Sequence, residues 1–520
     1  MNKFRFIAII LLCFGAHRQT LPAQGLTSPI LGKVSCNNEF ASGYPCKNID
    51  LLAYLPRHAV GLKVKDGTVE GELSGSWGWT DPGSGREFML AGTSDGTSFI
   101  EITNPEKPVY LGMLPIPTGT IPNIWREIKT YQHYAFIVGD AAGPHGMQVF
   151  DLHQLLGVLS PPVTFSASAH YTGAANVHDI VINETSGFAY LVGTNGSSPS
   201  CGGGLHMVDI RNPLQPQFVG CFSEPRTGGA GTGYIHDAQC IHYHGPDTRY
   251  TGRELCFAYA ETAVNIIDVT DKSNAKSLSV TTYPNVGYVH QGWITPDHRY
   301  IFIDDEFDES RGYTGNATRT IIMNVEDLLR PVLAKEYFSF SSAIDHNQYV
   351  KGRYLYQANY TAGLRILDVI DPNNPKEIGY FDCVPENDSP VYDGAWNVYA
   401  FHKNDAITIN CINQGVFIVR PKSNLVDNEQ EVPSSFGQIS VFPNPFSTQA
   451  QLRLTLDQAQ HVGVAIFDVL GREVGTLQTG YMPSGTHEWP IRAQNWPAGL
   501  YLYRIQAGPT VRTGTFQVRK

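Results

Sequence analysis

A ten-residue sequence motif recurs along this chain, and it restricts the possible folds more than any other feature of the sequence. Its clearest copy runs from Gly204 to Pro213, and close copies end at Asp271 and Pro372. The acidic or amide position recurs at intervals of 44 to 59 residues, at Glu101, Asp151, Asp209, Asp268, Asn324 and Asp368. A repeat of this length with strand-like content predicts a repeat architecture.

Each copy contains its own strand and turn signals. An apolar, β-branched run predicts a strand. The following Asp or Asn can accept hydrogen bonds from nearby backbone N–H groups, and a following proline favours a turn. Two further apolar segments precede this strand and one follows it, as in 178–182, 188–193 and 217–222 around the copy at Asp209. Four strands in roughly 50 residues are typical of a propeller blade.

Seven such units can be counted by their opening strands, which begin near Trp77, Trp125, His178, His236, His290, His346 and Ala395. A four-stranded sheet exposes an apolar face unless it stacks on its neighbours. We therefore predict an all-β protein, a seven-bladed β-propeller followed by a small C-terminal β-sandwich. A β-sandwich, or two smaller β domains, is the alternative.

The strands ending at Asp209, Asp268 and Asp368 share a pattern close to Leu-Val-Ile-Val-Asp. They resemble LVIVD repeats, which occur in bacterial surface proteins. The chain from 59 to 421 resembles the choice-of-anchor B family, most clearly in 77–82, 201–209, 234–240 and 283–293. The resemblance implies a propeller followed by a variable cell-surface tether, and it implies no established activity.

The two ends of the chain indicate export. Residues 1–23 combine Lys3 and Arg5 with a short apolar core, as a signal peptide does, and residues 24–58 form an N-terminal extension. A polar linker, 422–436, leads to 437–520, which resembles the type A sorting domain of the type IX secretion system in its Pro443-Asn444-Pro445 and 468–472 motifs. An ordinary small β-sandwich for carbohydrate binding or adhesion is the alternative.

These ends predict a protein that is secreted or held on the outer surface of a Gram-negative bacterium. Its expected partners are the type IX secretion machinery and an unidentified extracellular ligand. After the signal peptide no apolar run approaches 18 residues, so we expect no transmembrane segment. The chain has a net charge of −11, which disfavours nucleic acid as a partner because that requires a basic surface.

Eight cysteines follow the signal peptide, and an even number in an exported protein suggests disulfides. Cys240 and Cys256 fall on neighbouring strands of one predicted blade. Cys201 and Cys221 bracket the third strand of the preceding blade, and Cys36 and Cys46 flank a short loop. Cys383 is then left to pair with Cys411, although the sequence alone does not fix the connectivity.

Four histidines open consecutive predicted blades: His178, His236, His290 and His346. The first strand of a blade lines the central channel, so these imidazoles are expected to face one axis. Imidazole suits zinc, copper, iron or nickel, and Asp179 or Asp237 could orient the ring that precedes it. The alternative is that a repeated histidine only links adjacent blades by hydrogen bonds.

A second candidate site is the acidic stretch 304–309, in which Asp304 and Glu306 could bind calcium or magnesium. A solvated acidic loop is the simpler expectation for it. Two functions therefore remain open, with zinc or calcium as the candidate cofactor. One is a non-catalytic exported binding or scaffold module, and the other is a metal-dependent hydrolase or oxidase that uses the channel histidines.

Overall fold

The computed structural model describes residues 28–195, 201–422, 436–456, 460–468, 472–507 and 510–519. Strands make up 52% of the chain and helix 3%, so the all-β prediction is confirmed. The helical part consists of short 3₁₀ turns at Arg57–Val60, Leu152–Gly157, Cys201–Gly203 and Thr248–Tyr250. The predicted signal peptide lies outside the described residues.

Residues 30–421 form seven sheets of four to six strands. The first strand of each sheet is the one named first below, and the sheets are numbered in the chain order of these first strands. Sheet 1 contains Leu73–Thr80, Glu87–Thr93, Gly96–Glu101, Val109–Pro115 and Val163–Thr164. Sheet 2 contains Arg126–Tyr131, Tyr134–Gly139, Met147–Asp151 and Ala169–Tyr171. Sheet 3 contains Asp179–Asn183, Phe188–Val192, Leu205–Asp209 and Gln217–Phe222. Sheet 4 contains Asp237–His242, Glu254–Tyr259, Val264–Asp268 and Lys276–Thr281.

The last two of the seven sheets include strands from the N-terminal segment. Sheet 5 contains Val289–Ile294, Tyr300–Asp305, Arg319–Asn324 and Val332–Phe338. Sheet 6 contains Asn347–Lys351, Tyr354–Ala358, Leu364–Asp368, Lys376–Phe381, Tyr44–Lys47 and Phe40–Ala41. Sheet 7 contains Ala395–Tyr399, Ile407–Cys411, Gly415–Pro421, Ile49–Pro56 and Ile30–Val34. A separate short ribbon pairs Val64–Lys65 with Thr68–Val69.

The turn after the third strand has the same construction in several sheets. The side chain of Asp209 accepts a hydrogen bond from the backbone N–H of Arg211 at 3.0 Å. Asp268 makes the same bond to Thr270 at 3.0 Å. The predicted role of the recurring Asp or Asn is therefore confirmed, and it explains why an Asp or Asn ends these apolar runs. Glu101 differs, because its carboxylate binds Arg86 and the Thr103 hydroxyl instead.

A shift of register also recurs between the third and fourth strands. In sheet 3 it falls between Met207 and Val208, and in sheet 4 between Ile266 and Ile267. Such a bulge bends and twists the outer strand. In sheet 3 the residue opposite Met207 is Gly220, where a Cβ atom would lie 2.0 Å from the backbone oxygen of Lys272. Only glycine therefore lets sheet 4 approach this strand.

The seven sheets pack side by side, because the first strand of each contacts the first strands of its two neighbours, and sheet 7 contacts sheet 1. Between each successive pair lies an apolar cluster drawn from both sheets, such as Leu191 with Val149, or Ile303 with Phe257. Both faces of the middle strands are consequently buried. This explains why those strands are continuous apolar runs rather than alternating ones.

The junction of sheets 7 and 1 is made by hydrogen bonds and by the N-terminal segment. The amide nitrogens of Asn397 and Asn410 donate to the carbonyl oxygens of Ser76 and Ser74, at 2.6 and 2.7 Å. Ile49–Pro56 pairs along the whole of Gly415–Pro421. The repeat pattern gives no sign of this pairing, because the partners lie more than 350 residues apart.

The C-terminal residues form two further sheets with a core of their own. One contains Phe436–Phe442, Gln449–Leu456 and Gly485–Arg492. The other contains Glu473–Met482, Gln460–Asp468, Gly499–Ala507 and Thr510–Val518. Leu452, Val464 and Ile505 are among the buried residues between them.

All four predicted disulfides are present and their pairings are confirmed: Cys36–Cys46, Cys201–Cys221, Cys240–Cys256 and Cys383–Cys411. Cys240 and Cys256 face each other directly in the register of sheet 4. Cys383–Cys411 connects the segment after sheet 6 to sheet 7.

Candidate metal centre

The four histidines form a continuous row at the starts of the first strands of sheets 3 to 6. The ring centroids of His178 and His236 are 4.1 Å apart, those of His236 and His290 4.1 Å, and those of His290 and His346 4.5 Å. Contact between the first strands of neighbouring sheets brings together rings that are 54 to 58 residues apart in sequence.

A cavity of about 540 Å³ lies beside this row. Besides the histidines, Tyr, Phe and Trp are the largest group of side chains in its wall, among them Tyr234, Tyr288, Phe307, Tyr360, Tyr392 and Trp396. Asp140 and Glu306 add carboxylates to it. A mainly apolar cavity with a few converging polar groups is the usual form of a small-molecule site.

The hydrogen bonds of the rings determine which nitrogen can act as a ligand. His236 Nδ1 donates to the carbonyl oxygen of His290 at 3.1 Å, and His346 Nδ1 donates to that of Trp396 at 2.7 Å. A carbonyl oxygen only accepts, so Nδ1 must carry the proton and Nε2 keeps its lone pair. His290 Nδ1 has a carboxylate partner instead, Asp304 Oδ1 at 3.2 Å.

Two of the free nitrogens converge on Glu306. His290 Nε2 lies 3.8 Å from Glu306 Oε2, and His346 Nε2 lies 3.8 Å from Glu306 Oε1. One ligand atom from each of the three residues lies within 4.8 Å of the others. Tetrahedral zinc holds such atoms about 3.4 Å apart, so a small movement completes the geometry. The hydroxyl of Tyr360 donates to Glu306 Oε1 at 2.8 Å and holds the carboxylate in place.

Burial keeps these imidazoles neutral. It lowers the pKa of His346 to about 3, and it lowers the pKa values of His236 and His290 well below 6.5, with the neighbouring histidines adding to the effect. Burial likewise raises the pKa of Glu306 to about 7. Neutral imidazole is the form that binds metal, so the three rings are ready to bind at neutral pH without losing a proton.

His178, at one end of the row, has a different environment. Its Nδ1 lies 3.0 Å from Asp140 Oδ2. Burial opposes a charge on this ring, but the hydrogen bond and negative charge of Asp140 outweigh it and raise the pKa of His178 above 6.5. His178 is also outside the group of three converging ligands. It is thus suited to pairing with a carboxylate rather than to binding the same ion.

The structure does not give Asp179 and Asp237 the orienting role expected from the sequence. Asp179 Oδ1 lies 3.6 Å from Lys129 Nζ, and Asp237 Oδ1 accepts from the backbone N–H of Ala238 at 2.6 Å. In a strand, consecutive side chains point to opposite sides, so each aspartate points away from the histidine before it. The actual partners of the rings come from other parts of the chain.

The expectation of a solvated loop at 304–309 is wrong. Asp304, Asp305 and Asp308 are at most 1% exposed. Asp304 and Glu306 belong to the histidine site, whereas Asp308 and Glu309 form a different cluster with Asp345. Sequence reasoning also missed the roles of Asp140 and Tyr360. The one available signal was that Tyr360 follows the second strand of sheet 6, much as Glu306 follows that of sheet 5.

Two family models match parts of the chain. Residues 440–519 match the secretion system C-terminal sorting domain, and residues 347–383 match the LVIVD repeat. The sorting domain indicates that the protein is secreted or held on the cell surface and is handled by type IX secretion machinery. The choice-of-anchor B resemblance stays a prediction, because neither match tests it.

No curated protein matches the sequence. Among solved structures, a protein from Lactobacillus plantarum is 12% identical with a TM-score of 0.42, covering 81% of this chain and 99% of its own. A functionally unknown protein from Desulfotomaculum acetoxidans is 10% identical with a TM-score of 0.41, covering 69% and 97%. A hypothetical selenium-binding protein from Sulfolobus tokodaii is 11% identical with a TM-score of 0.39, covering 62% and 86%. These likenesses are too distant to carry information on ligand or activity.

Among the residues that the structure describes, no helix is both long enough and apolar enough to cross a membrane.

Proposed function

We propose that residues 30–421 form a seven-bladed β-propeller. The cyclic contacts of the seven first strands, the apolar cluster between each successive pair of sheets, and the asparagine bonds from sheet 7 to sheet 1 support this arrangement. Ile49–Pro56 would act as the clasp that joins the two ends of the ring. A propeller directs the starts of its first strands toward a central channel, and the four histidines occupy these positions.

We further propose that this exported protein binds a divalent transition metal ion through His290, His346 and Glu306. The observation that carries the proposal is the convergence of both Nε2 atoms on one carboxylate, with each Nδ1 held by a second partner. Two nitrogens and one oxygen suit zinc or iron better than calcium, which prefers oxygen ligands alone.

The bound ion would take part in binding an extracellular small molecule. Structural zinc sites are closed by four protein ligands, whereas sites that act on a ligand keep a position open. Three converging side chains beside a cavity of about 540 Å³ match the open type. We therefore propose an exported binding protein whose ligand contacts the metal with one polar group and the aromatic wall with the rest.

A metal-dependent hydrolase is the second candidate function. Two histidines and one glutamate are the protein ligands of zinc in several hydrolases, and zinc lowers the pKa of a bound water enough to make it a nucleophile at neutral pH. Turnover of an ester or phosphoester probe that needs zinc and disappears in Glu306→Gln would favour the enzyme. Zinc binding without such turnover would favour the binding protein.

The metal site is tested by calorimetric titration of the metal-stripped, full-length mature protein with zinc. We expect one tight site. Loss of an orienting partner costs roughly 10- to 100-fold in affinity, so loss of a ligand in Glu306→Gln or His346→Ala should weaken binding by about 100-fold or more. Glu306→Gln retains the shape of the side chain and can still accept from Tyr360.

Two control variants separate this site from other histidines. His178→Ala removes a ring of the same row that is outside the three converging ligands, so zinc affinity should change far less. His133→Ala removes a member of a more exposed group, His133, Asp151 and His153, and identifies any zinc bound there. Equal zinc affinity in wild type, Glu306→Gln and His346→Ala would disprove the site.

A further inference from the structure

A second group of ligands lies close to the histidine site in sequence but has a different chemistry. Asp308, Glu309 and Asp345 each offer a carboxylate oxygen within 4.8 Å of the other two. Asp308 is fully buried, Asp345 is 1% exposed and Glu309 is 6% exposed. Three carboxylates held this closely out of water repel one another strongly, so each must either hold a proton or be paired with a positive charge.

Protein groups compensate only part of that charge. Arg319 Nε lies 2.6 Å from Asp308 Oδ2. Its other nitrogens face Asp305, Glu336 and the carbonyl oxygens of Pro284 and Asn285. Within the described ranges, the ion pairs include none to Glu309 or Asp345.

Several buried oxygen atoms of the group also have no hydrogen-bond partner. They are Asp308 Oδ1, Glu309 Oε2, and both oxygens of Asp345. The side chain of Asn359 is buried with neither of its polar atoms bonded. Ala358 pairs with Asn347 in an antiparallel register. The backbone of Asn359, the next residue, therefore runs beside the segment that precedes Asn347 and contains Asp345. Unsatisfied buried carboxylate oxygens are costly and call for a specific partner.

We propose that Asp308, Glu309 and Asp345 bind a calcium ion. Calcium takes oxygen ligands at 2.3–2.6 Å, so two ligand atoms of one ion are at most about 5 Å apart. The three carboxylate oxygens meet this condition, because all lie within 4.8 Å of one another. Arg319 is shared between Asp308, Asp305 and Glu336. Once the carboxyls of the group release their protons, they therefore keep at least two uncompensated negative charges, enough for one divalent cation. Magnesium fits less well because it keeps several of its waters, and these side chains are buried.

This site is distinct from the proposed zinc site, but the two share chain segments. Asp308 lies two residues after Glu306, and Asp345 directly precedes His346. A calcium ion would therefore fix both segments that supply zinc ligands. The inference does not depend on zinc binding, because its donor atoms and its measurements are separate.

The test uses the full-length mature protein, first analysed for calcium by mass spectrometry and then melted in a calcium chelator with and without excess calcium. We expect one calcium per chain as purified and a higher melting temperature with calcium. In Asp345→Asn, bound calcium should be lost and the calcium-induced rise should disappear. Without calcium, Asp345→Asn should melt at or above the wild-type temperature, because a buried unpaired charge has been removed.

The matched control is Asp405→Asn, which removes an exposed carboxylate at a positive φ that asparagine adopts readily. It should keep both the calcium and the rise in melting temperature. A wild-type protein that contains no calcium and does not respond to it would overturn the proposal, as would an equal response in Asp345→Asn. Zinc titration of Asp345→Asn in excess calcium measures zinc affinity when the calcium site is lost. It therefore separates a failure of the calcium site from a failure of the zinc site.

Discussion

One buried carboxylate, Glu254, connects sheet 3 to sheet 4, and we predict that its replacement destabilises the protein. Glu254 Oε1 accepts hydrogen bonds from the side chains of Asn183, Ser186 and Tyr190, at 2.8, 2.7 and 2.6 Å. Its other oxygen, Oε2, lies 2.7 Å from Lys272 Nζ. Glu254 is 4% exposed, so these bonds form away from water. A single side chain thus connects the first two strands of sheet 3 to sheet 4.

The variant Glu254→Gln keeps an acceptor for the three neutral donors but sets an amide NH₂ against the ammonium group of Lys272. Because Lys272 is nearly buried, it loses the partner of its charge. Breaking a buried ion pair from one side costs about 3–5 kcal/mol. We expect a loss of that size in the free energy of unfolding at pH 7.

The pH dependence follows from the same contacts. Burial acts to raise the pKa of Glu254, but the bonds from Lys272, Tyr190 and Ser186 outweigh it and lower the pKa below 4.5. The unfolded chain therefore takes up this proton first as the pH falls. The contribution of Glu254 is complete above about pH 4.5 and is lost as the pH drops through the lower, folded-state pKa. Glu254→Gln should lack this part of the acid destabilisation.

Urea unfolding of the wild type, Glu254→Gln, Lys272→Met and the double variant measures the coupling. Methionine retains the packing that Lys272 makes over the Phe188 ring. The double variant should recover part of the stability lost in Glu254→Gln, since no buried charge is left unpaired. The control Glu70→Gln removes an exposed carboxylate and should change stability by less than about 0.5 kcal/mol. A loss below 1 kcal/mol in Glu254→Gln, or no recovery in the double variant, would refute the reasoning.

Two further predictions concern export and the disulfides. Deleting residues 437–520 should leave the protein folded, with an unchanged melting temperature, but held in the periplasm. If the truncated protein reached the cell surface in normal amount, the tail would not be the sorting signal. Replacing Cys240 and Cys256 by alanine opens a loop with a sequence separation of 16 residues and should lower the free energy of unfolding by about 3 kcal/mol. Urea unfolding measures that loss, and peptide mapping without reduction checks that the other three pairs remain.

The repeated, local features of this protein could be predicted from the sequence. Strand content, the Asp or Asn at each turn, and the pairing of Cys240 with Cys256 depend on residues close together in one unit. The sorting tail is also recognisable as a continuous stretch. The sequence likewise singled out His178, His236, His290 and His346, because a position repeated once per unit points to equivalent places in the fold.

The partners of those histidines were decided by the tertiary structure alone. Asp140 and Trp396 reach His178 and His346 from neighbouring sheets, and Tyr360 reaches Glu306 in the same way. No repeat spacing indicates which side chain crosses that boundary. Alternation along the strands turned Asp179 and Asp237 away from the row, although they are adjacent in sequence. Whether an acidic stretch faces water or a packed interior depends on the sheets that cover it, so the burial of Asp308 and Glu309 followed only from the assembled fold.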